Sequence, residues 1–176
     1  MQYRRAKLAG ATYFFTLTLA NRHKHLLTEN IQQLRHAIKH VQDKHPFVID
    51  AMVVLPEHLH ALWTLPSGDA DYSTRWAMIK AGFSRSIAKE EKISLSRQRK
   101  GERGIWQRRF WEHLIRDEND FARHVDYIDY NPVKHGHVMQ CCDWPYSSFH
   151  RYVREGFIAR DWGGHFTQTI DCNFGE

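Results

Sequence analysis

Residues 13–19, YFFTLTL, alternate in character. Tyr13, Phe15, Leu17 and Leu19 fall on one face and Phe14, Thr16 and Thr18 on the other, the period-two signature of a strand. Over 28–44 the period lengthens. Ile31, Leu34, Ile38 and Val41 form an apolar helical stripe that Thr28 is placed to cap, and His45-Pro46 ends it. Residues 47–55 and 58–65 read as two strands joined at Pro56-Glu57, the simplest connection being a hairpin. In the second of these, Leu59, Ala61, Trp63 and Leu65 face one way and His58, His60, Leu62 and Thr64 the other. A second helix is predicted over 71–90, with Trp76, Ile79, Phe83 and Ile87 as its stripe. A polar basic loop (94–104) and a fourth strand (105–115) follow. A third helix runs from Asp117 to Tyr130, with acidic residues at its positive end and Asn131-Pro132 as its stop. The aromatic cluster WPYSSFHRYV (144–153) should pack on the core.

The order β-α-β-β-α-β-α fits an α+β fold, an antiparallel sheet with helices packed mainly on one face and the other face open for binding. With 176 residues the chain is long enough for one domain, expected over 1–155, with 156–176 a loosely packed tail. No run of about 18 uncharged apolar residues is present, so no membrane span is expected, and the first residues lack the pattern of a signal peptide.

Charge narrows the partner. The formal charge is +5, from 25 basic and 20 acidic residues, with 13 histidines besides, and this favours an anionic ligand such as nucleic acid. The segment 97–116 carries Arg97, Arg99, Lys100, Arg108 and Arg109 interleaved with Trp106, Phe110 and Trp111, a composition suited to phosphate contacts and base stacking. Arg4, Arg5 and Lys7 form a basic N-terminal arm, and Lys80 and Arg85 decorate the second helix. Three cysteines, two of them adjacent (Cys141, Cys142), make neither a disulfide framework nor a zinc spacing, which fits a reducing cytoplasm.

Three His-x-His pairs occur, at 23/25, 58/60 and 135/137. Only His58 and His60 lie on a clear strand with an apolar residue between them. Strand residues two apart point the same way, roughly 6.6–6.8 Å apart, so their imidazoles can converge on one cation. On the third helix Tyr127 and Asn131 are i,i+4 neighbours on the flank of the stripe Phe121, Val125 and Ile128. His124 shares that flank, and Tyr130 lies nearly opposite the stripe. A strand His pair, a helical tyrosine and a carboxamide one turn on can build one site. His58, His60 and Asn131 would hold a divalent cation, and Tyr127 would attack a phosphodiester to leave a 5′-phosphotyrosine and a free 3′-OH.

The stretches RRAKLAGATYFFTLTLANR, VVLPEHLHALWTLP, WQRRFWEHLIRDENDF, YIDYNPVKHG and WPYSSFHRY span about residues 3–152. With them the sequence resembles the single-tyrosine HUH transposases, and among these the REP-associated tyrosine transposases of bacteria. The resemblance implies an antiparallel sheet flanked by helices. It implies cleavage and rejoining of single-stranded DNA with Mg²⁺ or Mn²⁺ at palindromic hairpins, by a monomer or homodimer. By position, His58 and His60 resemble the HUH ligands, Tyr127 the nucleophile and Asn131 the third ligand. Two other readings are a hairpin-binding protein that no longer cleaves, and a replication or relaxase-type initiator. The second tyrosine at i+4 that initiators often carry is here Asn131.

Overall fold

The computed structural model describes residues 7–163. Four strands form a single sheet: β1 (Thr12–Thr18), β2 (Val48–Val54), β3 (His58–Thr64) and β4 (Trp111–Leu114). Their spatial order is β2-β3-β1-β4 and every pairing is antiparallel. The β2–β3 hairpin turns at Pro56-Glu57, where the Leu55 N–H donates to the His58 carbonyl at 2.9 Å. In the β1–β3 register Thr16 lies opposite His60 and Thr18 opposite His58.

The expected alternation decides which side chains enter which core. Tyr13, Phe15, Leu17, Leu59, Ala61 and Trp63 pack beneath α2 (Ile31–Lys44) and α3 (Tyr72–Ser86). There Leu34, Ile38 and Val41 meet Trp76, Ile79 and Phe83, and Trp63 stacks on Trp76 with ring centroids 3.9 Å apart. Asp71 caps α3 by accepting from the Thr74 N–H at 3.0 Å.

The opposite face is not open. Phe14, Ala51, Val53 and Leu62 pack against Tyr127 and Ile128 of α5 (Glu118–Lys134), so β1 and β3 are buried on both sides. The sheet is the α+β arrangement expected, with two long helices on one face and one on the other.

Local departures have physical causes. Thr28 does not cap the first long helix. It lies in a separate turn, α1 (Leu26–Glu29), where its hydroxyl donates to the His25 carbonyl, and α2 begins after Asn30. The second helix ends at Ser86, because Ile87 is extended. The basic loop contains one helical turn, α4 (Leu95–Gln98). Only 111–114 of the expected 105–115 strand is ladder. Before it, the chain touches the end of β1 through one bridge, Leu19 with Trp106, while Trp106 turns into the core against Phe83. Most consequentially, α5 runs through Pro132 to Lys134. It ends at Gly136 (φ +70°), where the Gly136 N–H reaches the Val133 carbonyl and the His137 N–H the Pro132 carbonyl, both at 2.9 Å.

After a 3₁₀ turn (Cys141–Asp143), the aromatic segment runs along the outer edge of β2. Val54 N–H donates to the Tyr146 carbonyl and Ser148 N–H to the Met52 carbonyl, and α6 (Phe149–Arg154) follows. The Asp129 carboxylate on α5 accepts from the Ser147 and Ser148 hydroxyls at 3.2 and 3.3 Å, pinning this segment to the helix. Burial pushes the Asp129 carboxyl up to about 7 from 3.8. The folded chain therefore holds a proton that the unfolded chain releases, and stability falls as pH rises between roughly 4 and 7. Asp129→Asn removes that slope. Thermal melts from pH 4.5 to 8 should show the native chain losing about 2–4 kcal/mol relative to the variant over this range.

Candidate active site

The second sheet face gathers the polar positions that the alternation assigned to it. His58 and His60 sit side by side on β3 with ring centroids 4.9 Å apart, 1% and 0% exposed. Each ring is held by its Nδ1 atom. His58 Nδ1 lies 3.0 Å from Glu57 Oε1, and His60 Nδ1 shares a 2.9 Å hydrogen bond with Thr16 Oγ1 across the β1–β3 register. A carboxylate can only accept, so the proton of neutral His58 is on Nδ1 and its Nε2 carries a lone pair. That Nε2 is buried with no hydrogen-bond partner among the described residues. The bond to His58 holds the Glu57 carboxyl down at about 2, so it is ionised at neutral pH.

From the other side α5 presents a buried row: Asp120, His124, Tyr127, Ile128 and Asn131. This row is rotated from the stripe that periodicity picks out. Phe121 and Val125 are half-buried, whereas the residues placed on the flank face the sheet. Tyr127 is 2% exposed, and its ring meets His60 edge-on at 5.1 Å and Phe14 at 5.9 Å. Tyr130 is half-buried, more exposed than Tyr127. Asn131 is fully buried one turn beyond Tyr127. The structure thus brings His58, His60 and Tyr127 together, with Asn131 on the same buried row of α5. Their chemistry is one ring nitrogen with a free lone pair, a second oriented imidazole, a carboxamide and a phenol, which suits a divalent cation beside a nucleophile.

Three neighbours of the site escaped the sequence reading. Glu57 had a signal, a carboxylate immediately before a strand histidine. Lys134 lies two turns beyond Tyr127, and its Nζ is 3.4 Å from the Tyr127 hydroxyl oxygen. His135 meets His58 at 5.1 Å. Both His135 and Lys134 were hidden by ending the helix at Tyr130.

A further cluster occupies the β4–α5 corner. Ligating atoms of His113, Asp120 and His124 lie within 4.8 Å of one another. The Asp120 carboxylate already accepts from His113 Nε2 (2.8 Å) and from the Arg116 backbone N–H (3.1 Å) and Nε (3.2 Å), while His124 Nδ1 donates to the Asp120 carbonyl at 2.7 Å. Burial opposes ionisation of Asp120, but the bonds from Arg116 and His113 outweigh it and hold the carboxyl well below its usual range. The adjacent Arg116 makes this corner a poor cation site and a good anchor for the start of α5. Asp117 adds a cap there, accepting from the Asp120 N–H at 2.8 Å.

The basic candidates do not converge on one place. Lys80, Arg85, Arg97 and Arg108 line a groove of about 610 Å³ between α3 and the 97–110 segment. Within it Lys80 Nζ donates to the Gln107 carbonyl at 2.7 Å, Arg97 to the Trp106 carbonyl at 3.1 Å, and Arg108 to Glu102 at 2.9 Å. Arg99, Lys100 and Arg109 are exposed on the same segment. Lys7 is exposed elsewhere, beside Lys44 and Arg75. Arg4 and Arg5 lie outside the described residues.

Residues 7–131 match the family of IS200-like transposases. The chain belongs to that family. Within it, this IS200-like transposase groups with the REP-associated tyrosine transposases. It is 50% identical to the Escherichia coli REP-associated tyrosine transposase over 175 residues, covering 99% of this chain and 96% of that protein. A Haemophilus influenzae relative is 49% identical over 164 residues, 93% of each chain. The fold matches a solved REP-associated tyrosine transposase bound to a REP hairpin with a TM-score of 0.85 and 48% identity, over 100% of this chain and 97% of the other.

Asp120→Ala strips the acceptor from His113, from Arg116 and from a backbone N–H at once. It should cost the transposase about 2–4 kcal/mol in chemical denaturation, more than any single truncation among the exposed arginines.

Proposed function

We propose that this transposase cleaves and rejoins single-stranded DNA at palindromic REP hairpins, through a covalent 5′-phosphotyrosine on Tyr127. The observation that carries this reading is the Tyr127 ring seated edge-on against His60, with His58 beside it. The hairpin-bound relative, alike over the whole of this chain, supports the choice of DNA form.

The chain's own part is to hold the phenol and both imidazoles rigidly. Phe14 packs against His60 and Tyr127, Glu57 and Thr16 fix the two rings, and the anchored start of α5 sets the height of Tyr127 over the sheet. The Tyr127 oxygen bonds to phosphorus while the bond from phosphorus to the 3′ oxygen breaks. The electron pair leaves with that oxygen, which takes a proton from water, and the phenolic proton passes to solvent. The phosphotyrosine bond keeps the energy of the phosphodiester, so rejoining needs no nucleotide. His58, His60 and Asn131 would hold a Mg²⁺ or Mn²⁺ ion, which would supply Lewis-acid polarisation of the scissile phosphate.

Both halves of the site belong to one chain, which supports cleavage by a monomer rather than a tyrosine shared across a homodimer. Lys80, Arg85, Arg97 and Arg108 in the groove, with Arg99, Lys100 and Arg109 beside it, are proposed to bind the DNA backbone. Lys7, with Arg4 and Arg5 on the N-terminal arm, is proposed to contact the hairpin foot. The enzyme would act in the cytoplasm, at the nucleoid.

Two measurements test the reading. On a denaturing gel with Mn²⁺ and a labelled single strand carrying a REP palindrome, the native chain should leave a covalent band and Tyr127→Phe none, with hairpin affinity nearly unchanged. No band from the native chain would favour a binding protein that does not cleave, and a band from the variant would reject Tyr127. In calorimetry, His58→Ala combined with His60→Ala should abolish Mn²⁺ binding, and unchanged binding would remove the pair as ligands.

A further inference from the structure

We propose that Lys134 is a catalytic residue: its ammonium accompanies the Tyr127 oxygen through cleavage and rejoining, balancing the negative charge that oxygen carries while its bond to phosphorus is incomplete. The inference rests on the reading of Tyr127 as the nucleophile.

Three independent features put the charge there. First, α5 continues through Pro132, whose missing N–H is tolerated in a last turn closed at Gly136. Continuation makes Lys134 the seventh residue after Tyr127, only about 20° away around the helix axis. Second, helical side chains lean toward the N-terminus, so a lysine two turns later reaches back over the tyrosine. Lys134 Nζ is accordingly 4.8 Å from the Tyr127 ring centroid and 3.4 Å from its hydroxyl oxygen, in donor geometry. Third, Lys134 is the basic residue in the last turn of α5, where the helix dipole favours a cation.

The contact has a different consequence from a surface ion pair. Lys134 itself is exposed on the last turn of α5, but the oxygen it reaches belongs to a side chain only 2% exposed. A charge-assisted donor aimed at an oxyanion developing there acts more strongly than between two solvated groups. In rejoining, the attacking 3′ oxygen bonds to phosphorus, and the phosphorus–Tyr127 bond breaks with its electron pair left on the Tyr127 oxygen. Lys134 donates to that oxygen and remains an ammonium, and the tyrosinate then takes its proton from water. Cleavage is the same path reversed, through the same transition state. Loss of the ammonium therefore slows both directions.

The test is single-turnover cleavage of a labelled single strand carrying a REP palindrome, at saturating protein with Mn²⁺, and rejoining of the purified adduct with a 3′-OH strand. Lys134→Met should lower both rate constants on the order of 10–100-fold. Hairpin affinity should stay within about two-fold, and Lys134→Arg should recover most of the rate. Lys134→Gln replaces the methionine variant if the latter does not melt like the native chain. A neutral variant cutting within about three-fold of the native rate, an arginine variant as slow as the neutral one, or a loss confined to hairpin affinity would each overturn the assignment. Tyr127→Phe is run alongside. Its failure to form an adduct while the lysine variants cut normally rejects Lys134 alone, whereas an adduct in Tyr127→Phe rejects the nucleophile itself.

Discussion

The candidate centre depends on one mutual burial: the polar strip of the sheet, Thr16, His58 and His60, against the polar row of α5, His124, Tyr127 and Asn131. Taking such groups out of water is costly unless each finds a partner. Partners are supplied locally, by Glu57 for His58, by Thr16 for His60 and by the Asp120 carbonyl for His124. The apolar layer on the opposite face, with Trp63 on Trp76 at its middle, supplies the driving force. The sheet thus has one largely apolar face and one that carries the candidate site, and Phe14 is the chief large apolar side chain that β1 contributes to the second.

How much of this was legible in the sequence depended on whether a local rule was opposed by a distant contact. The two central strands were legible residue by residue, because alternation assigns faces directly and a hairpin at Pro56-Glu57 leaves little freedom. The helices α2 and α3 were legible from their stripes. The rotation of α5 was not, because its inward row is mostly polar and an apolar stripe search selects Phe121 and Val125 instead. Its end was misread for a related reason. Pro132 disfavours a helical residue before it, yet Asn131 is held helical by full burial, and the true stop signal was Gly136 with its left-handed backbone. The 105–115 segment looked like a strand because it is rich in aromatic and aliphatic residues of high strand propensity. Its backbone joins β1 only briefly at Trp106, since that indole has a place in the core beside Phe83.

The basic composition also divides once the structure is known. Part of the positive charge is architectural. Arg103 donates to Glu91 and to the carbonyls of Ser84, Ile87 and Ala88, fastening the basic loop beneath the end of α3. Lys80 and Arg97 brace the backbone of the same segment. The count of 25 basic residues therefore overstates the side chains disposed to meet a polyanion, and the exposed arginines of the loop tip differ in kind from those in the groove wall.

The segment 146–148 has an effect beyond packing. By hydrogen bonding along the margin of β2 it occupies the backbone groups that a strand from another molecule would need. The opposite margin, β4, is only four residues long and offers little length for such a strand. Both margins are in this way poor templates for pairing with another copy of the chain.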